Sequence, residues 1–524
     1  MKNAHGVTSS RDEPATPRRT CDPLATLNLI TDAWIPVRCR SGRREIRPDQ
    51  IAEPGVLRPD WPRPDLNLAC LEFLVGLVYL AHPPRGSDDR EKPPEAGVLR
   101  AAMAPLAPAF ELLGDGPRFL QDLEPLEGTG IPVERLLIDS AGNSTSRKNQ
   151  DLMIRRGRYE ALPLPLAAMA LYTLQAFAPA GGAGNRTSLR GGGPMVCLVR
   201  PDGEGLWPLV WANVPHGEPL VAGELDALPW MRSTKVSKPV GGQAPESFPE
   251  SDSPSRPDPE VFFGQPRRLR LVMRDGLVTH FVQERYGASY PTSRWRHPLT
   301  PYYVQGTDFL PRHPKPGKFG YRHWRGVVLQ SDSGRRPLAL EQYLRDVENG
   351  HGSLIVAGWA MENMKPLDFI WSEQPVFRFL SREDEDNAAD AVEAAEQAGF
   401  TLARLVTIGV GEDDIRSGTG LRARETLFAE TQAAFEETLG RMSAGSSFVS
   451  ELWLTELRHA AIAIFDAEVT PGLADLSETR RTAAIGARRQ LLAAFAGRGA
   501  AGKKIFDALR LQPAPARRGG GKAA

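Results

Sequence analysis

The amino-acid sequence predicts an α+β protein, with a large mixed α/β N-terminal domain followed by a C-terminal four-helix bundle. The first observation is a change of style near residue 386. From there to residue 511, Ala, Glu, Leu and Arg recur at helical spacing, with breaks at 411–420, 443–447 and 470–472. Long segments of that kind with short connections read as an antiparallel bundle. The second observation lies upstream, where strand–turn–strand patterns alternate with two apolar runs long enough for buried helices. The third is length: 524 residues favour about three domains as a soft prior. The expected boundaries are an N-terminal extension at 1–24, the mixed domain at 25–380, the bundle at 387–511 and a basic tail at 512–524. Both end pieces have compositions expected of disordered chain.

The elements follow in order. Leu27-Asn28-Leu29-Ile30, a turn at Thr31-Asp32 and Trp34-Ile35-Pro36-Val37 read as strand, turn and strand. Residues 66–81 are the most hydrophobic segment, but Asn67 and Glu72 interrupt it and it stops at His82-Pro83-Pro84. It is too short and too polar for a membrane span, so a buried core helix is expected and no membrane. Residues 98–113 read as a helix, residues 164–177 as a buried helix, and Val196-Cys197-Leu198-Val199 as a short strand. Residues 354–360 and 367–371 are two apolar strands around a polar turn, a hairpin whose tip pairs an amide with a methionine. The acidic run Glu383-Asp384-Glu385-Asp386 reads as a solvated linker rather than a metal site. Bundle helices are expected at 387–405, 421–442, 448–468 and 476–497, with a short extra piece at 503–511.

Composition excludes several classes of function. Hydrophobic residues make up 41% and charged residues 24%, an ordinary globular balance. Lys plus Arg equals Asp plus Glu at 64 each, so any nucleic-acid contact must come from local patches. Cys21, Cys39, Cys70 and Cys197 form no C-x-x-C pair, which argues against a zinc knuckle and a disulfide framework and fits a reducing cytoplasm. Residues 1–23 hold no apolar run of the kind a secretory signal needs. No HExxH, GxSxG or DxDxD-like motif is present, so no catalytic residue, metal or cofactor is expected.

Three local features remain. Residues 178–195 contain six glycines in two groups, with Arg186 and Arg190 between them. Glycine allows positive φ and close approach of another molecule, and two arginines beside such a loop favour an anionic one. A helix C-cap followed by a tight turn accounts for the same glycines. No Gly-Lys-Ser/Thr closes the stretch, which excludes the usual Walker phosphate loop. Residues 144–190 carry a local net charge of +5, and residues 267–325 carry +9 with Tyr286, Tyr290, Trp295, Tyr302, Tyr303, Phe319, Tyr321 and Trp324 interleaved. Basic residues mixed with aromatics suit a nucleic-acid surface, and equally a solvated basic face over a Tyr/Trp core.

Several of these stretches together resemble the CasA family, the large subunit of the type I-E CRISPR surveillance complex Cascade. The residues that carry the resemblance are Asn28-Leu-Ile-Thr-Asp-Ala-Trp-Ile-Pro-Val37, Ser188-Leu-Arg-Gly-Gly-Gly-Pro194, Trp295-Arg-His-Pro-Leu-Thr-Pro301 and the hairpin at 354–371. The resemblance implies a non-enzymatic subunit that reads the protospacer-adjacent motif (PAM) of double-stranded target DNA. Such a subunit begins strand separation and recruits a helicase-nuclease. The implied partners are CRISPR RNA, target DNA, the backbone, handle-binding and small subunits of Cascade, and the helicase-nuclease. Carried over by position, the family's glycine loop falls on Gly182, Ala183 and Gly184, with Ala183 at one glycine position. The wedge hairpin falls on Glu362, Asn363 and Met364, with Asn363 at the family's glutamine. The lysine finger falls near Arg285, where no lysine stands. The loop that touches the RNA 5′ handle falls on Leu152, Met153, Ile154, Arg155 and Arg156. The rival readings are a nuclease whose acidic residues converge only in the fold, and an interaction scaffold built around the bundle.

Overall fold

The computed structural model describes residues 26–140, 147–148, 155–182, 184–239, 258–290, 296–348, 352–412, 418–471, 473–475 and 477–513. The expected N-terminal extension lies outside these residues, as does all of the expected tail beyond residue 513. So do Leu152, Met153 and Ile154 of the handle loop, Ala183 and Trp295.

The fold is α+β. Its strands are β1 (Ile35–Cys39), β2 (Gly42–Ile46), β3 (Val56–Pro59), β4 (Ile131–Pro132), β5 (Val196–Pro201), β6 (Arg268–Arg274), β7 (Leu277–Glu284), β8 (Tyr302–Gln305), β9 (Asp308–Pro311), β10 (Gly334–Arg335), β11 (Gly352–Glu362) and β12 (Lys365–Pro375). They form four three-stranded sheets in the orders β2-β1-β3, β10-β8-β9, β12-β11-β5 and β4-β7-β6. The helices of ten or more residues among those described are α1 (Pro64–Ala81), α2 (Leu164–Phe177), α3 (Arg382–Val410), α4 (Gly418–Ser443), α5 (Ser450–Val469), α6 (Glu478–Ala494) and α7 (Gly499–Ala508).

Helix α1 is apolar on every side because it is surrounded: from Asp65 to Ala81 only Asn67 is not buried. Phe73 at its middle makes edge-to-face contacts with Trp34, Phe119, Tyr172 and Phe263 at centroid distances of 5.6, 5.9, 5.4 and 6.0 Å. This aromatic net is the centre of the first of two large hydrophobic cores.

The sheet β12-β11-β5 separates the two cores. Side chains alternate across a strand. Val196 and Leu198 of β5 and Ile355 and Ala357 of β11 face the first core. Cys197 and Val199, with Leu354 and Val356, face a second core that the C-terminal helices complete. Neither face needs solvent there, and the central strand β11 and its neighbour β5 therefore read as continuous apolar runs rather than alternating ones.

In the helical region α3 is the axis against which α4, α5, α6 and α7 all pack. The expected extra piece is thus a fifth packed helix, α7. The acidic run is not a linker. Glu383, Asp384 and Glu385 form the first turn of α3, where Ser381 Oγ accepts from the Asp384 amide at 3.1 Å. Carboxylates there complement the positive end of the helix dipole, and Glu385 also accepts from Arg336 at 2.6 Å.

Two further expectations fail for local reasons. The helix expected at 98–113 is an α-helix only over Ala96–Met103 and turns 3₁₀ over Ala104–Ala109, where Pro105 and Pro108 cannot donate. The strand expected at Leu27–Ile30 is a turn with one isolated bridge from Asn28 to Glu111. Asn28 Oδ1 accepts from the Ile30 and Thr31 amides at 2.9 and 3.1 Å, and those side-chain bonds replace a ladder.

Of the aromatics interleaved with the basic stretch, Tyr290, Tyr302, Phe319, Tyr321 and Trp324 are buried, so most of that set belongs to the core. Trp324 ties the central sheet to the bundle. Its Nε1 donates to Gln374 Oε1 on β12 at 2.7 Å, and its ring lies 5.7 Å from Phe435 of α4. Replacing Trp324 by Ala should lower unfolding stability by about 3–5 kcal/mol, the usual cost of deleting a buried large aromatic. Urea denaturation followed by circular dichroism measures this. An unchanged midpoint would show that sheet and bundle are not coupled through this ring.

Candidate nucleic-acid interface

Helix α2 ends at Phe177 and delivers the chain into the glycine-rich stretch. The entry is clamped by Arg267, whose Nη2 donates to Pro179 O at 2.5 Å. Burial lowers the Arg267 guanidinium to about 10. Gly182 and Gly184 have φ of +79° and +82°, values that side-chain-bearing residues rarely adopt. Gly182 and its neighbour Gly181 are exposed.

Gly184 requires glycine for a second reason. A Cβ there would lie 2.8 Å from Arg285 Cβ and 3.2 Å from the Tyr286 ring. The loop is stitched to the end of β7 by Tyr286 N donating to Gly184 O at 2.7 Å and Gln283 Nε2 donating to Asn185 Oδ1 at 2.7 Å. Two separately predicted features are thereby brought together, Gly184 of the glycine loop and Arg285 of the basic finger. Arg285 is exposed, and Tyr286 beside it is held at φ +65°.

Neither loop arginine is an open phosphate ligand. Arg186 donates to Ser237 Oγ at 2.8 Å and Ser237 O at 3.1 Å and sits 5.8 Å over the Tyr286 ring. Arg190 is buried and forms a two-pronged pair with Glu72 of α1: Nη2 to Oε1 at 2.6 Å and Nη1 to Oε2 at 2.8 Å. Tyr172 donates to the same carboxylate at 3.3 Å, and Arg190 Nη1 reaches Thr300 Oγ1 at 3.4 Å. His297 Nε2 lies 3.6 Å from Glu72, but burial and then the Arg190 charge push its pKa far below the ordinary value, so it stands there neutral. The anion that the arginine pattern pointed to at this position is therefore a core carboxylate.

Downstream, the stretch turns onto the hairpin. A Cβ on Gly193, at φ +64°, would lie 2.7 Å from Trp359 O and 2.9 Å from Met361 Cε. The hairpin runs in register from Ser353 opposite Pro375 to Glu362 opposite Lys365, with one irregularity between Ala360 and Met361. That pairing leaves Asn363 and Met364 as a two-residue turn. Both have positive φ, +49° and +62°, as a type I′ turn demands. Asn tolerates that conformation, whereas Met at the second position occupies a site glycine usually fills, at a strain of about 1–3 kcal/mol. Met364 is 50% exposed and Leu367 behind it 54% exposed, so the turn ends in apolar surface. Glu362 is exposed as well.

Arg155 and Arg156, expected in the loop that meets the RNA handle, are exposed. The groups sequence reasoning missed are Arg267, Asn185 and Gln283, which hold the loop, and the role of Glu72. Glu72 left a readable signal: one carboxylate in the middle of an apolar helix needs a buried cation. Among the described residues no cluster of three or more His, Cys, Asp or Glu could hold a metal ion.

Removing Arg190 alone leaves Glu72 charged and unpaired in the core. Arg190→Met should cost about 3–5 kcal/mol, with Glu72→Gln plus Arg190→Met losing less than the two single changes together. A double-mutant cycle by urea unfolding checks this, and additive losses would show that the two groups are not coupled.

The family model for CRISPR-associated protein Cse1 matches residues 28–464. Among solved structures, CasA from Thermus thermophilus is similar at a TM-score of 0.64 with 18% identity, covering 92% of this chain and 99% of that one. Cse1 from Thermobifida fusca is similar at 0.64 with 19% identity, covering 93% and 98%. A chain of a CRISPR RNA-guided surveillance complex is similar at 0.62 with 15% identity, covering 89% and 99%. At these identities the likeness to solved structures establishes a shared fold.

Proposed function

This chain belongs to the CRISPR-associated Cse1 family, and from that premise we propose that it is the non-catalytic large subunit of a cytoplasmic Cascade complex that recognises the PAM of duplex DNA. It starts strand separation there and recruits the helicase-nuclease. The observation that carries the reading is the hairpin tip: an exposed Asn363–Met364 turn, held at positive φ at the end of a long antiparallel ladder. Backbone strain and an exposed thioether do nothing for stability. They are useful on a rigid probe that enters a base stack.

The division of labour follows from chemistry. Gly182 and Gly184, with Ala183 between them in the sequence, make a stretch with little side-chain bulk, and Arg285 adds one cation. Main chain plus one cation suits the minor groove, where readout separates little beyond A·T from G·C, so the PAM rule is permissive. Met364 wedges beside the first pair while Asn363 offers an amide to a base edge, with Glu362 at the foot of the turn. The wedge offsets an unstacking cost of roughly a few kcal/mol per step. Sequence reading beyond the PAM is left to the guide, as in other RNA-guided effectors. Leu152, Met153, Ile154, Arg155 and Arg156 meet the RNA 5′ handle.

Asn363→Ala with Met364→Ala should slow R-loop formation on matched linear duplex about tenfold or more, and much less on a target already unpaired beside the PAM. Stopped-flow fluorescence of a base analogue next to the PAM reads both rates. Equal slowing on both substrates would contradict the wedge. In a separate test, Arg155→Ala with Arg156→Ala should reduce retention of this subunit in the RNA-loaded complex. Native mass measurement reads the occupancy, and full retention would show that these two arginines are an ordinary solvated face.

A further inference from the structure

A basic cleft lies between the β8–β9 segment and the helical bundle, on the second-core side of the central sheet. Its volume is about 710 Å³, and Arg312, Lys315, Lys318, Arg322, Arg325 and Arg424 line it. The one carboxylate among its lining residues is Glu396. Three of the cations have partners: Arg424 donates to Glu396 at 3.2 Å, Arg325 pairs with Glu393, and Arg322 lies 3.9 Å from Glu425. Arg312, Lys315 and Lys318 form no ion pair among the described residues.

Arg312 is the informative one. It is mostly out of solvent, and burial, followed by the charge of the neighbouring cation Arg325, pulls its pKa down. The Nε atoms of Arg312, Arg322, Arg325 and Arg424 are all buried without an acceptor. Buried donors almost always have partners, and gathering cations without counter-charge costs stability. Arg424, Arg325 and Arg322 have carboxylate partners, so the uncompensated charge at the cleft is that of Arg312 and the exposed Lys315 and Lys318, three cations on one short segment that an anion would balance.

We propose that this cleft binds the phosphate backbone of an unpaired nucleic-acid strand, at a site distinct from the hairpin tip and the glycine loop. The choice of nucleic acid rests on the function proposed above, whereas the need for an anion rests on the cleft alone. The volume falls within the range of small-ligand cavities, roughly 300–1,000 Å³, which admits a short segment of one strand and not a duplex. Phe400, 48% exposed, also lines the cleft and gives a base apolar surface beside the charges. His323 contributes no charge near neutrality, since burial and the Arg322 charge lower it to about 4.

The test uses the purified full chain and a fluorescent 12-nucleotide single strand, followed by anisotropy across a salt series. Lys315→Glu with Lys318→Glu should weaken binding tenfold or more. Arg312→Gln should weaken it less, and it removes a charge without reversing one. A single-strand contact contributes roughly 0.7 to the logarithmic salt slope, so loss of two should flatten it by about 1.4. Lys503→Glu with Lys504→Glu, two exposed lysines of α7 outside the cleft lining, serves as the control and should bind the strand like wild type. That separates loss at the cleft from a general loss of surface charge, and a strand with no PAM and no duplex does not engage the wedge. Unchanged affinity and slope in the lysine variant, with normal circular dichroism, would overturn the proposal. Equal competition by a 12-base-pair duplex would overturn the single-strand assignment. Equal competition by inorganic triphosphate would overturn the nucleic-acid one.

Discussion

The bidentate pair between Arg190 and Glu72 is the constraint on which the arrangement of the interface depends. It joins the middle of the most buried helix to the middle of the glycine-rich stretch, with both side chains essentially removed from solvent. Desolvating two charges is expensive, and apolar residues of the same volume would often stabilise a core as well or better. What apolar residues cannot supply is direction. The planar guanidinium, two carboxylate oxygens, the Tyr172 hydroxyl and Thr300 fix one register of the loop against α1. From that point the chain runs back to β7, where Gly184 meets Arg285, and forward to β11, where Gly193 meets Trp359 and Met361. The two arms of one loop thus set the places of Arg285 and of the hairpin base.

The central sheet supplies the second requirement, a rigid mount. A two-stranded ribbon alone is marginally stable. Here β5 pairs with the lower half of β11 from Gly352 to Ala357, and both faces of that half are covered by hydrophobic cores. Beyond Ala357 the β5 pairing ends while the ladder to β12 continues to Glu362. Ala360 is still buried in the second core and Trp359 and Met361 still pack on the first, so only the tip from Glu362 to Lys365 stands clear of its support. The wedge role proposed for the turn would use this rigid mount.

Much of this was legible from the residues. The style change near residue 386 marks the bundle, because helical spacing over more than a hundred residues has few other solutions. The hairpin announced itself through two apolar runs around a polar tip, and the structure extends it by pairing the polar residues too. The family resemblance rested on modest motifs in a fixed order, and the Cse1 family match spans all four of those stretches along with most of the chain. Charge was the least reliable guide. Arg190 counted toward a basic patch, yet it is a core residue neutralised by a carboxylate more than a hundred positions away. Composition cannot see such a partner. The same blindness applies to the acidic run at Glu383, whose role depends on Ser381 starting a helix there, and to the tyrosines that line a core rather than a surface. The basic cleft is the converse case: its lysines and arginines are scattered over more than a hundred residues and converge only when the bundle packs onto the sheet.

The central claim is that the Asn363–Met364 turn stands inside the duplex at the PAM-proximal pair. Disulfide trapping tests it most directly. Cys39, Cys70 and Cys197 are buried, so with Cys21→Ser in the background a thiol placed at the exposed turn by Met364→Cys faces no competition from them. The variant, assembled with its guide RNA and partner subunits, is offered duplexes that carry a thiol-tethered base at successive positions. The account predicts cross-linking that peaks at the pair adjoining the PAM and falls away within two or three pairs on either side. Cross-linking that is absent, or uniform along the duplex, would contradict it.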